Sequence, residues 1–151
     1  MKVRASILAL VAMLGFAGTA MANSAYSYST PAVQGYDVVS YFTGKRPVRG
    51  NGNFIAVHDG ATYQFSSAEN QKAFEKNPGK YVPAFGGYCA FGVSVGKKFI
   101  GDPEVWRIVD NKLYLNLDTG IQSEWLKDVP GRIKTANSKW RSIEDKDPQS
   151  L

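Results

Sequence analysis

The chain has one cysteine, Cys89, one histidine, His58, and three methionines, Met1, Met13 and Met21, all within its first 21 residues. A single thiol cannot close an intrachain disulfide, and one thiol with one imidazole falls short of the four ligands of a closed zinc site. No Ser-His-Asp order, phosphate-binding glycine loop or nucleotide fingerprint is present, and no pair of carboxylates at catalytic spacing can be recognised. These absences argue against an ordinary hydrolase or oxidoreductase. The apolar run Ile7 to Phe16 is shorter than the roughly 20 residues that a spanning helix needs. No internal repeat, heptad or low-complexity tract is visible along the chain.

What is present begins with an export signal. Lys2 and Arg4 precede the apolar run and Ala20-Met21-Ala22 supplies a small-residue cleavage site, so residues 1–22 are expected to be removed, leaving Asn23 first. Without a twin arginine before the run, the general secretory route is expected. No cysteine follows the cleavage site, so neither a lipid anchor nor stable membrane insertion after cleavage is expected. The protein is therefore read as exported, and as periplasmic in a Gram-negative bacterium. Exported domains normally carry paired cysteines or none, and an exposed inert thiol is an oxidation liability, so the lone Cys89 needs an explanation. Cleavage leaves 129 residues, enough for one domain with a hydrophobic core. It also lowers the net charge from +5 to +3, because 16 basic residues then face 13 acidic ones. The clusters Lys45-Arg46-Pro47-Val48-Arg49 and Lys97-Lys98 read as solvated loop charge, and no nucleic-acid partner is expected.

Residues 23–33, rich in Ser, Tyr and Ala, read as a poorly ordered leader to a single domain over 34–143, followed by a polar tail over 144–151. Asp37 is expected to cap a short helix, Val38 to Phe42, that Thr43-Gly44 ends. Phe54 to His58 and Thr62 to Phe65 are β-prone runs joined by Asp59-Gly60, a dipeptide that tolerates the positive φ of a tight hairpin turn. Ser66-Ser67-Ala68-Glu69 has the spacing of a capping box with Ser66 at the cap, opening a helix to about Lys76 that Asn77-Pro78-Gly79 stops. Tyr88 to Val95 alternates small and apolar residues as a covered strand does. Val105 to Val109 and Lys112 to Leu117 flank Asp110-Asn111 as a second hairpin, with Leu113, Leu115 and Leu117 on one face. Asp118 or Thr119 can cap a helix carrying Ile121, Trp125 and Leu126, and Pro130 suits the first turn of another carrying Ile133 and Trp140. The expected fold class is α+β: small antiparallel β-hairpins packed on a short helix, a β-β-α core, with a helical C-terminal extension.

Tyr63-Gln64-Phe65-Ser66-Ser67, Phe74, Asn77-Pro78 and Tyr81 together resemble the core pattern of the YHS domain family. The resemblance continues through Gly86-Gly87-Tyr88-Cys89-Ala90, Gly101-Asp102-Pro103, Trp106-Arg107-Ile108-Val109-Asp110 and Leu113-Tyr114-Leu115-Asn116, which look like the exported branch called YHS domain-containing (seleno)proteins. It covers the chain from Gln34 to Trp140 and implies the β-β-α core. The family label also implies that some relatives carry selenocysteine, which suits a reactive chalcogen at Cys89. A metal-associated branch carries a Phe-Cys-Ser-x-x-Cys pattern after the hairpin. Here Ser66 and Asn70 hold those places, and a hydroxyl and an amide are poor ligands for a soft cation, so that branch's metal role does not transfer to this helix. The histidine of the family name is not matched either, since His58 lies across the turn.

Cys89 is the first chemical candidate, as a reactive thiol or a metal ligand that the preceding Gly86-Gly87 turn is expected to leave accessible and acidic, against the alternative that it is buried as a small hydrophobe. His58 is the second, as a ligand or proton partner, against the alternative of an ordinary polar residue beside a turn. Asp37, Asp102 and Glu104 are conceivable oxygen ligands or acids, with capping and turn duties as the simpler account. Tyr63, Tyr81, Tyr88 and Trp106 are candidates to line a small-ligand pocket, against core packing. Three readings follow. The first is a binding module in which Cys89, with His58, holds a thiophilic metal ion such as copper or senses oxidants. The second is a thiol-dependent redox enzyme acting with an external thiol partner. The third is a non-catalytic interaction protein with a structural cysteine.

Overall fold

Asp37 opens the first short helix, α1 (Ser40–Thr43), from three residues upstream. Its carbonyl accepts Ser40 N–H and its Oδ1 accepts Val39 N–H at 2.9 Å, and Gly44 N–H closes the far end on the Ser40 carbonyl. β1 (Asn51–His58) and β2 (Ala61–Phe65) then pair antiparallel with His58 opposite Ala61, leaving Asp59 and Gly60 alone in the turn at φ +49° and +76°. Both signs are positive, the geometry whose twist matches the flanking strands. α2 (Ala68–Lys76) follows, and its cap is Ser67, whose Oγ accepts Asn70 N–H at 3.2 Å. The expected cap at Ser66 is thus one residue early, because Ser66 is used elsewhere: its N–H and Oγ both donate to Asp37 Oδ2. Asn77 ends α2 and Pro78 starts one further turn, α3 (Pro78–Tyr81). The structure is a computed structural model that describes residues 30–151, so the expected signal over 1–22 and the leader up to residue 29 lie outside the described residues. Pairing is in place from Pro31, which bridges Thr62.

The second half builds α4 (Ala90–Ser94), β3 (Asp102–Val109), β4 (Lys112–Asn116) and α5 (Thr119–Leu126). It repeats the first half, which corrects the expectation of no internal repeat. Three consecutive left-handed residues, Val33, Gln34 and Gly35 at φ +50°, +53° and +81°, recur 52 positions later as Phe85, Gly86 and Gly87 at +56°, +61° and +85°. A left-handed non-glycine residue costs about 1–2 kcal/mol, so the same device built twice is not a product of chance turns. Asp37 N–H bonds to the Val48 carbonyl at 2.8 Å, and Cys89 N–H bonds to the Phe99 carbonyl at 2.8 Å. The hairpins match at a shift of 51: β1 and β2 span 51–58 and 61–65, β3 and β4 span 102–109 and 112–116, and both break register after their first pair. The caps match too, since Asp118 Oδ1 accepts Ile121 N–H just as Ser67 accepts Asn70 N–H.

The halves stack in tandem. Tyr41 on α1 is fully buried against the face of the second hairpin formed by Trp106, Ile108, Leu113 and Leu115, with its ring edge-on to Trp106 at 5.2 Å. α4, the counterpart of α1, is covered instead by α6 (Val129–Ile143), where Ala90 and Val93 meet Ala136 and Ile143 together with Trp125 of α5. At the other end of the stack, Ile55 and Val57 occupy the places of Trp106 and Ile108 and are 45% and 57% exposed. α6 starts at Asp128 with Pro130 in its first turn, as expected. The tail is tied back: Lys98 Nζ donates to the carbonyls of Glu144 and Lys146 at 2.5 and 2.7 Å and lies over the rings of Tyr88 and Trp140.

The expected strand Tyr88 to Val95 is instead an entry bridge followed by α4. Tyr88 and Cys89 make one bridge each, to Ile100 and Leu115, and the chain then turns because Cys89 Sγ accepts Gly92 N–H at 3.4 Å. The side chains of Val93 and Ser94 follow a helical turn, a pattern that small alternating residues do not distinguish from a strand over so short a run. Leu113 and Leu115 share the buried face, while Leu117 lies beyond β4 and is 41% exposed.

Candidate functional site

Cys89 sits at the cap of α4 with no solvent exposure, so the expectation of an accessible thiol is corrected. Its neighbours come from across the chain: the Gly92 N–H at 3.4 Å and Asn116 Oδ1 at 3.8 Å. Asn116 is itself fully buried, and its Nδ2 has no partner among the described residues. A half-turn of that amide would set Nδ2 on the sulfur in place of Oδ1. His58 lies on the other hairpin, with Nε2 at 3.3 Å from Asp59 Oδ2 and its ring edge-on to Phe74. The structure does not bring His58 and Cys89 together, and no group of three or more His, Cys, Asp or Glu side chains able to hold a metal is found among the described residues.

The position of Cys89 in the second half is that of Asp37 in the first. Asp37, also fully buried, accepts four hydrogen bonds, from Val39 N–H, Ser66 N–H, Ser66 Oγ–H and Asn70 Nδ2. These join the start of α1 to the start of α2, so Asp37 and the two residues Ser66 and Asn70 form a structural knot. Asp102 Oδ1 accepts Glu104 N–H, and Glu104 Oε1 accepts the Tyr36 hydroxyl, which holds the Tyr36 phenol above its ordinary range.

The four aromatic pocket candidates separate. Tyr63 and Tyr81 are core side chains of the first half, packed on Phe74 and Phe42. Burial pushes the Tyr63 hydroxyl above its ordinary range. Tyr88 lines a groove of about 230 Å3 with Gly86, Gly87, Ile100 and Leu115. Trp106 lines the larger cleft, about 480 Å3, at the junction where α1 docks on β3. Its other walls are Tyr41, Phe42, Lys45, Arg107, Ile108, Asn111 and Gln122, drawn from both halves and from α5. That volume is in the range of small-molecule sites, and a junction between units is where such sites collect.

Two polar groups of the cleft floor are paired within the protein. The Tyr41 hydroxyl donates to the Pro103 carbonyl at 2.9 Å, and burial drives its pKa far above the ordinary tyrosine range. Gln122 Nε2 donates to the Trp106 carbonyl at 3.1 Å. At the rim, Lys45 and Asn111 are exposed, and neither side chain has a hydrogen-bond or ion-pair partner among the described residues, while Arg107 lines the cleft from β3, where it pairs with Tyr114 between Trp106 and Ile108 and its side chain alternates to the opposite face. No carboxylate lines the cleft. Sequence reasoning reached Trp106 and missed Tyr41, Phe42, Lys45 and Arg107 as neighbours, because their meeting depends on how the halves stack. The signal that could have found it is Pro31-Ala32-x-x-Gly35-Tyr36 against Pro83-Ala84-x-x-Gly87-Tyr88. No protein-family model, curated protein or solved structure matches the chain.

Proposed function

We propose that the protein is an exported, non-catalytic binding module of the YHS type that holds a small organic ligand in the cleft between its two halves, with Cys89 as a structural thiol. The observation that carries this reading is the cleft itself: about 480 Å3, with a largely aromatic floor on which the Tyr41 hydroxyl is already paired, and with Lys45 and Asn111 exposed among its lining. An apolar body with few convergent polar groups is the composition of a ligand site. Burial of Cys89 supports the third of the readings that the sequence left open over the metal-binding and redox readings, since a nucleophile or soft ligand must be reached to act.

The test is titration with N-phenyl-1-naphthylamine, a flat neutral probe, followed by amide and indole NMR shifts. Saturable shifts at Phe42, Arg107, Ile108 and the Trp106 indole, with the Trp125 and Trp140 indoles unmoved, are the expected result. Absence of shifts at those four residues overturns the reading. Copper retained at one ion per chain by the purified protein and lost in Cys89→Ser would overturn it in favour of the thiol.

A further inference from the structure

The side of the molecule where α6 covers α4 carries a surface outside the cleft, and we propose that the protein adsorbs through it, peripherally, to an anionic phospholipid surface. Charge is segregated there. The stretch 90–101, which holds α4 and the loop after it, together with α6 contains Lys97, Lys98, Arg132, Lys134, Lys139 and Arg141 and no aspartate or glutamate. Asp128 and Glu144 stand at the two ends of α6, where Asp128 is engaged as the cap of Gly131 N–H. Lys98 is turned inward onto the carbonyls of Glu144 and Lys146. The other five cations take part in neither ion pair found among the described residues.

Apolar surface is set among these cations. Val95, at the C-terminal cap of α4, is 50% exposed, and Phe99 is 46% exposed. Val95 N–H bonds to the Gly92 carbonyl at 3.0 Å, and a Cβ on Gly92 would fall 2.9 Å from Phe99 Cδ2, so the Phe99 ring rests on the turn that Val95 closes. Lys97 is exposed between them in sequence. On the α6 side, the Arg132 guanidinium lies 4.5 Å from the centre of the Phe91 ring, one turn before Val95, and Lys139 Cδ lies 4.0 Å from where a Cβ on Gly96 would stand. Arg132 and Lys139 are seven residues apart and share one face of α6. Cations alone would suit any polyanion. Large apolar side chains held half in water among them suit a bilayer interface, where headgroups meet the charge and apolar tips enter the acyl boundary. The long stems of lysine and arginine keep their charged heads at headgroup level meanwhile. Adsorption of this kind needs no spanning segment, and among the described residues no helix is long and apolar enough to be one.

The experiment is flotation of the whole protein with vesicles of phosphatidylcholine, either alone or mixed two to one with phosphatidylglycerol. Binding should be confined to the anionic vesicles and fall at least tenfold when salt is raised to about 0.5 M. Lys97→Glu with Lys139→Glu should weaken it at least tenfold, whereas Lys72→Glu with Lys76→Glu, the same change of net charge placed on α2, should leave it within twofold. In the Val95→Trp variant the added indole emission should move to shorter wavelength with the anionic vesicles and stay unmoved with dextran sulfate. No binding to anionic vesicles at low salt, or equal loss in the two charge-reversed pairs, overturns the proposal. An emission that moves no more with vesicles than with dextran sulfate overturns it in favour of a soluble polyanion. None of these residues lines the cleft, so the outcome is independent of the ligand titration.

Discussion

Cys89 Sγ is enclosed by atoms from its own helix and from β4, and the covering groups lie 3 and 27 residues away in sequence. Its exposure is a property of tertiary stacking, which is why the sequence, with Gly86-Gly87 beside it, suggested an open turn. The folded protein should therefore react with 5,5′-dithiobis(2-nitrobenzoate) far more slowly than a free thiol, and release one equivalent once unfolded in guanidinium. Cys89→Ala should cost about 1–2 kcal/mol by removing a packed sulfur and a cap to Gly92 N–H. Fast stoichiometric labelling of the native state would contradict the burial. His58 was legible as a residue beside the Asp59-Gly60 turn, and its neighbour Phe74 follows from the same β-β-α unit.

At the scale of elements, both hairpins were legible because their signals are local: Asp59-Gly60 and Asp110-Asn111 set the turns, and Asp118 and Pro130 mark helix starts. The duplication was not, because the matched residues are mostly positions of backbone geometry, and one residue fewer in the second half changes the spacing from 52 to 51 midway. Gly50 and Gly101 are such a pair. A Cβ on Gly50 would fall 2.5 Å from the Gln64 carbonyl carbon, and one on Gly101 would fall 2.6 Å from both the Gly87 oxygen and Leu115 Cβ. Gly50→Ala and Gly101→Ala should each destabilise by roughly 1–3 kcal/mol, because backbone must move in both. Gly52→Ala, with nothing within 4 Å, should change stability by less than about 0.5 kcal/mol. Denaturant midpoints that rank Gly52→Ala with the other two would remove this support for the repeat.

For the whole molecule, burial raises the hydroxyls of Tyr41, Tyr63 and Tyr114 above the ordinary tyrosine range. Below about pH 10 both states keep these protons and stability is complete; above it the unfolded chain loses them first, so folding is opposed as pH rises. The slope approaches about 1.4 kcal/mol per pH unit for each tyrosine. Urea midpoints measured between pH 9 and 11.5 should fall, and Tyr41→Phe should fall less steeply than the parent chain. Equal slopes would mean that Tyr41 ionises as freely in the folded state.

The tandem arrangement also carries a rule about growth. Each short helix needs a cover: the second hairpin serves α1, and α6 serves α4. The first hairpin still presents Ile55 and Val57 where a preceding helix would seat. With α6 removed, α4 of one molecule and the first hairpin of the next would meet as α1 and the second hairpin do, and a head-to-tail contact of that kind extends without closing. A chain cut after Lys127 should sediment as ever longer species with rising concentration, and Ile55→Lys with Val57→Lys should return it to monomer; a monomeric truncated chain would remove the argument. α6 thus acts as a terminator, turning a surface capable of polymerising into a molecule of finite length.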